Sequence, residues 1–509
     1  MLLFRFLLAM VPILWLILAL SGLKMSSHKA CLAALALACL LSISFWSFSP
    51  LNMVTAILEG VLNALWPICL VITAALFTYN ITVKTGAMNQ INVMLAGVSS
   101  DQRVMMLLIG WGFGNFMEGM AGFGTSVAIP ASMLASMGFH PISAAVACLV
   151  GTSMQTPFGS VGIATTTSAA VTGLDSLSLS GDVANLQWIL TFMAPYIMIC
   201  IMGGGIRALK GVMTITTIAA LSFTAPYYLA GTFLGAELPG IIGSICTMVC
   251  IIAASRMLPQ VRTSRPYDAE NTGKTDFERK DALKAWSPYL LIFLLLMVTS
   301  KLCPPVYDAV SSIKTSLTVY AGDNPGTLTF SWVGTPGVMI FLAGSAGGMI
   351  QGLSPAELCS VLLETLRKYW KTMVTICSIM AAAKIMSYSG MISDIASLLI
   401  AAGGTFYPIL APMLGVLGGF VTGSGTTTSV LFGGLQIQTA SSLGLSPSWI
   451  AAANVVGAGI GKMLCPQSIA IAAGAIDVIG SESEILRTAF KYVFIYALLA
   501  GVVCLAGTF

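Results

Sequence analysis

Residues 110–125 read GWGFGNFMEGMAGFGT, and residues 418–428 read GGFVTGSGTTT. Each run is followed by a glycine and then a proline, Gly138 and Pro141 in the first case, Gly444 and Pro447 in the second. Each then meets a second proline beside amide and hydroxyl side chains, as Gln155, Thr156 and Pro157 and as Pro466, Gln467 and Ser468. Both copies place glycines, hydroxyls and prolines inside apolar sequence of membrane grade. In lipid, irregular backbone survives only where protein buries it or where it lines a cavity. A matched pair of interrupted hydrophobic segments in the two halves of a chain points to a transporter binding site.

Composition agrees. The 509 residues are 57% hydrophobic and only 8% charged, against about 25% charged in soluble domains. The chain therefore reads as an integral membrane protein. A net charge of +4 is too small to suggest a nucleic-acid partner. The twelve cysteines lie singly in apolar runs with no C-x-x-C pair, which favours small buried hydrophobes over disulfides or a metal. With His28 and His140 the only histidines, neither a metal centre nor a hydrolytic triad is supported, and no cofactor is implied.

Apolar runs at 4–22, 30–48, 186–206, 214–232, 238–257, 286–303, 336–350 and 489–508 read as membrane spans. Residues 1–23 read as a retained first helix rather than a cleaved leader. Residues 51–83 carry Glu59, Asn63 and Pro67 and read as a long or broken helix, while 104–172 and 372–480 predict half-helices and re-entrant hairpins. The fold class expected is an all-α polytopic membrane protein of about 12 spans, in two repeats taken as inverted because that is the common route to alternating access. The basic stretch 257–285 divides an N-terminal half, 1–256, from a C-terminal half, 286–509. The positive-inside rule puts that connector, and the loop holding Lys24 and Lys29, in the cytoplasm. The acidic, lysine-poor stretch 304–335 then lies outside.

A helix interrupted at mid-membrane exposes unpaired N–H groups and a positive dipole end, which together hold an anion. The runs Gly122–Ser126 and Gly423–Ser429 supply such backbone, with Gly124, Thr125, Ser126, Ser424, Thr426 and Thr427 as candidate binding residues. Close helix packing through small residues is the competing reading. Glu118 is a candidate proton site, since apolar surroundings favour a protonated carboxyl; a structural pairing is the alternative. Lys462 is placed to pair with Glu118 or with a substrate carboxylate, or to snorkel to the interface. Gln155, Thr156, Gln467 and Ser468 would complete the polar shell. Lys384 is a weaker cation candidate, Gln436 and Gln438 are less specific, and Glu59, Arg207, Glu237 and Asp477 are expected near interfaces.

At three of these places the chain resembles the lactate permease family. The matching stretches are 118–124 (EGMAGFG), 155–162 (QTPFGSVG) and 461–470 (GKMLCPQSIA). The resemblance covers most of the chain. It implies uptake of L-lactate, D-lactate or glycolate with a proton across a bacterial inner membrane, and kinship with the wider ion-transporter group. It also marks departures: Gly425 and Ser429 stand where an Asp and an Asn are usual, and Ser126 where a Pro is. The function expected is secondary active symport of a small 2-hydroxymonocarboxylate with protons in the lipid bilayer. A sodium-coupled carrier of di- or tricarboxylates is the rival, and a structural subunit that moves nothing is a third reading. A homodimer is compatible with each.

Overall fold

The computed structural model describes residues 2–19, 23, 25–120, 122, 125–257, 279–299, 303–322, 327–476 and 482–508. Among these, six helices are long and apolar enough to cross a membrane: His28–Trp46, Pro50–Lys84, Ser176–Met202, Pro239–Met257, Lys280–Val298 and Glu482–Ala506. The run expected at 214–232 is helix Met213–Phe233, and 336–350 is Pro336–Ile350. The first helix is α-helical over Leu2–Ile17, and residues 20–22 of the run expected at 4–22 lie outside the described residues. Most of the connector expected at 257–285 lies outside the described residues.

The second of the six is broken, as its polar content predicts. Helix α1, Pro50–Asn63, passes through a π-helical turn at Ala64–Cys69 into α2, Leu70–Lys84. Trp66 is extended there (φ −132°, ψ 116°), which interrupts the hydrogen-bond ladder just before Pro67.

The interrupted motifs fold into short helices in matching order. The first half gives α3 (Gly114–Met120), α4 (Thr125–Ser136), α5 (Pro141–Ser153), a 3₁₀ turn at Thr156–Phe158 and α6 (Gly159–Thr172). The second half contributes a 34-residue helix, α7 (Pro355–Tyr388), followed by α8 (Tyr407–Thr422), α9 (Gly425–Ser442), α10 (Pro447–Lys462) and α11 (Pro466–Ala475). Helices α4, α5, α8 and α10 have 12 to 16 residues. At 1.5 Å per residue they reach about 18–24 Å, short of the ~30 Å hydrocarbon core. Proline opens both α5 and α10, where its missing N–H costs nothing.

One expectation needs correcting. The chain is not wholly α-helical: the polar stretch 304–335 contains an antiparallel hairpin, β1 (Lys314–Thr318) and β2 (Thr327–Ser331), with Lys314 opposite Ser331 and Thr318 opposite Thr327. The cause is local. Threonines suit a pleated strand, and Leu328 and Phe330 alternate inward between exposed threonines.

Two seams set the position of the central residues. Helices α8 and α10 touch backbone to backbone: a Cβ on Gly457 would lie 2.0 Å from the Pro412 carbonyl oxygen, and one on Gly461 2.0 Å from that of Val416. Part of the glycine content is thus close packing, the competing reading given above. The halves also meet each other. Gly425 at the start of α9 lies against Ala164 and Thr156, and Gly459 of α10 against the Ser153 carbonyl.

Candidate functional site

Glu118 is buried within α3, at 2% exposure. Lys462 is the last residue of α10, where the negative end of the helix dipole favours a cation. The seam between the halves brings them together: Lys462 Nζ lies 2.5 Å from Glu118 Oε1, across 344 residues of sequence. Two hydroxyls complete the carboxylate's partners. Ser126 Oγ donates to Oε2 at 2.5 Å and Thr156 Oγ1 to Oε1 at 3.3 Å. A Cβ on Gly159 would meet Glu118 Oε1 at 2.9 Å, so the turn after Pro157 closes directly over the pair.

The pair forms part of the wall of a cavity of about 550 Å³, which Thr156 and Ser468 also line. The break between α8 and α9 forms another wall, with Ser424, Thr426 and Thr427 facing in. Ser424 caps α9, its Oγ accepting the Thr427 N–H at 3.2 Å. The break is tied by Thr422, whose Oγ1 donates to the Gly418 carbonyl at 2.9 Å and lies 3.1 Å from Thr428 Oγ1. Among the described residues, no protein hydrogen bond engages the Thr426 or Thr427 hydroxyl, so both are available to a ligand. A helix N-terminus, two uncommitted hydroxyls and an ammonium facing one space suit a small anion. Among the described residues no cluster of side chains fit to hold a metal ion occurs.

Some sequence-selected residues fall elsewhere. Gln155 does not line the cavity. Its amide is buried and lies over Gly240, so close that any Cβ there would overlap it, and it has no hydrogen-bond partner among the described residues. The 3₁₀ turn that begins at Thr156 sets successive side chains about a third of a turn apart, so Gln155 faces Gly240 while Thr156 faces Glu118. Ser126 reaches the site only through Glu118. Gly124, Asp477 and the side chains of Thr125 and Gln467 lie outside the described residues. Gln436 is structural: it accepts from Tyr407 at 2.7 Å and donates to the Ala411 carbonyl at 2.9 Å. Gln438 donates to Ser393 at 2.6 Å. Arg207 is exposed and Glu237 half-buried. Glu59, expected near an interface, is buried and pairs with Lys384 at 2.7 Å. The reason is Gly60, where a Cβ would lie 2.6 Å from Ala381 Cα; this close approach sets Glu59 beside Lys384.

Other lining residues were not selected. The backbone at Ser160, Val161 and Gly162 is left-handed (φ 45°, 59° and 73°), and Ser160 faces the cavity. Such conformations in non-glycine residues collect at functional sites. Gly159 and Gly162, already conspicuous beside Pro157, were the available signal. His28, Tyr369 and Lys371 also line the cavity. Nothing local in the sequence marks them, because long-range packing alone brings them there.

The chain matches the L-lactate permease family over residues 5–509. It is 41% identical over 449 residues to an L-lactate permease of Streptococcus iniae, covering 88% of this chain and 94% of that one. It is 32% identical over 528 residues to an L-lactate permease of Escherichia coli strain K12, with 98% and 94% covered. It is 30% identical over 536 residues to glycolate permease GlcA of that strain, with 98% and 95% covered. Among solved structures, the Alcanivorax borkumensis YdaH transporter shares 14% identity at a TM-score of 0.43, covering 91% of this chain and 86% of that one. Neisseria gonorrhoeae MtrF shares 11% at a TM-score of 0.48, covering 89% and 83%. With its sequence relatives permeases rather than enzymes, and with long apolar helices of its own, this chain is a multi-pass membrane protein that belongs to the L-lactate permease family.

Proposed function

We propose that the chain imports a small 2-hydroxymonocarboxylate (L-lactate, D-lactate or glycolate) with one proton across a bacterial inner membrane. The observation that carries this reading is the ion pair between Glu118 and Lys462 on the cavity wall, joining one half of the chain to the other.

Charge balance supplies the coupling. In the empty site the Glu118 carboxylate and the Lys462 ammonium cancel. A proton on Glu118 alone leaves Lys462 unbalanced, and a substrate carboxylate alone adds a net negative charge. Either charge is expensive to hold within a membrane. Proton and carboxylate together restore neutrality: Glu118 becomes a neutral acid, and Lys462 turns to the substrate. The conformational change is thus open to the empty and the doubly loaded states. Hydroxyls of Thr426 and Thr427 and the free amides at the start of α9 hold the rest of the carboxylate. The matching order of short helices supports two inverted repeats that alternate access around this point. Under the positive-inside topology, the cavity's lining by Met25, Ser26 and His28 supports an inward-facing state.

The test is uptake of labelled L-lactate and glycolate into proteoliposomes. An inward proton gradient should drive accumulation and a sodium gradient should not. Because both mobile states are neutral, imposing a membrane potential should leave the rate unchanged. Glu118→Gln should keep lactate–lactate exchange while losing gradient-driven accumulation. Undiminished proton-driven accumulation in that variant would remove Glu118 from the mechanism.

A further inference from the structure

We propose that Lys384 is a second contact for the substrate's carboxylate, on the route between the hairpin-bearing face and the central cavity, and that Glu59 occupies it until the anion arrives. The proposal rests on the carboxylate-transport reading above.

The chemistry of the central pair recurs here. Lys384 Nζ lies 2.7 Å from Glu59 Oε1, and the Tyr388 hydroxyl donates to the same oxygen at 2.9 Å. Again the first half of the chain supplies the carboxylate and the second half the ammonium. The other carboxylate oxygen, Oε2, is buried and has no hydrogen-bond partner among the described residues. A buried charged atom left unmatched is costly in a group that serves only to hold helices together. It is the atom that would receive a hydrogen bond from an incoming 2-hydroxyl.

Position supports the same role. Helix α7 carries Tyr369, Thr372 and Ile376 on the cavity wall. Lys384 lies eight residues beyond Ile376, about 12 Å along the axis at 1.5 Å per residue. Beyond it again, the Tyr388 ring stacks on Tyr320 of the hairpin segment with centroids 3.8 Å apart. The Ala321 N–H donates to Thr55 Oγ1 of α1 at 3.2 Å, fastening that segment down. The pair and the tyrosine stack therefore stand between the cavity and the hairpin. An anion coming from that face meets Lys384 before Lys462. Its carboxylate takes the place of Glu59 on the ammonium and the tyrosine hydroxyl, opens the contact between α1 and α7, and moves inward.

The experiment measures KM for labelled L-lactate in proteoliposomes of the full chain, separately for influx from the hairpin-bearing face and for efflux from the opposite one. Lys384→Gln should raise the influx KM about tenfold, the worth of one charged hydrogen bond. Glu59→Gln leaves Lys384 unopposed and should lower it. Efflux KM should hold in both. A pair that only joins helices predicts the same direction of change for both variants, and that result, or no change in either, overturns the proposal. Should a charge variant fail to insert, Tyr388→Phe decides: a several-fold rise in influx KM supports the proposal, and an unchanged value overturns it. Absence of lactate transport in the wild-type protein would instead defeat the functional reading itself.

Discussion

Glu118–Lys462 and Asp101–Arg103 are both buried ion pairs, and they are built in opposite ways. Asp101 and Arg103 are two residues apart, at the start of one helix. Asp101 Oδ1 accepts from the Arg103 backbone N–H and Nε, and Oδ2 from Nη2 at 2.8 Å, while Nη1 reaches the Ala208 and Lys210 carbonyls. Each of these bonds serves to hold the chain in one shape. Glu118 and Lys462 come from separate halves, beside interrupted helices, with hydroxyls as further partners and a cavity alongside. A hydroxyl can donate to a carboxylate and equally accept from a carboxylic acid. The contrast is between a pair that is local and bonded to its own stretch of chain and one that is long-range, cavity-facing and surrounded by partners tolerant of either protonation state.

The strongest way to break this contrast is to remove one charge from each pair. Lys462→Met should abolish transport and cost about 3–5 kcal/mol, because a lone buried carboxylate remains. Adding Glu118→Gln should recover most of the thermal stability in detergent and none of the transport. Asp101→Asn should destabilise comparably while leaving the KM for lactate unchanged. A shift in KM there would erase the distinction.

A smaller effect, of the same sign, sharpens it. Val161 is β-branched and held at φ 59°, a strain of about 1–2 kcal/mol, and its side chain is buried. Val161→Gly relieves the strain but empties the space of a buried side chain and loosens the unfolded chain, so it should lower the melting temperature modestly and slow uptake, because the turn over Glu118 loses its definition. The least effect is expected at another local, fully bonded motif, the capping box at the start of α7. There Ser354 and Glu357 exchange hydrogen bonds. The Ser354 backbone N–H and hydroxyl hold the exposed Glu357 carboxyl below its ordinary value of 4.5. The folded state therefore keeps the proton off to lower pH than the unfolded chain does. Its small stabilisation is full above the ordinary carboxylate range and fades as pH falls through the lowered value. The melting difference between wild type and Glu357→Gln should vanish under those acidic conditions, with transport near neutral pH unaffected.

Much of this architecture was written locally in the chain. Pro141 and Pro447 open helices, and the glycine-rich runs surround helix breaks, because each residue acts on its own backbone. Glu118 and Lys462 stood out as ionisable groups in apolar sequence, and their meeting depended on the packing of α10 against the first half. Glu59 was misplaced for the complementary reason. Its burial depends on Gly60 fitting the backbone of α7, a contact more than 300 residues away that no local pattern reveals. The left-handed turn at 160–162 was equally hidden, since valine ordinarily avoids that conformation. The strands β1 and β2 were overlooked because a short hairpin in a polar segment carries little weight beside so many apolar runs.

The glycine contacts between α8 and α10 carry a consequence for motion. Where carbonyl oxygens stand in the space a methyl group would need, two helices cannot slide past each other without a collision. Lys462 at one end of this welded slab and Ser424 just beyond the other helix must therefore travel together. The cradle is thus a unit of fixed dimensions, and any rearrangement of this part of the molecule must carry both of its ends.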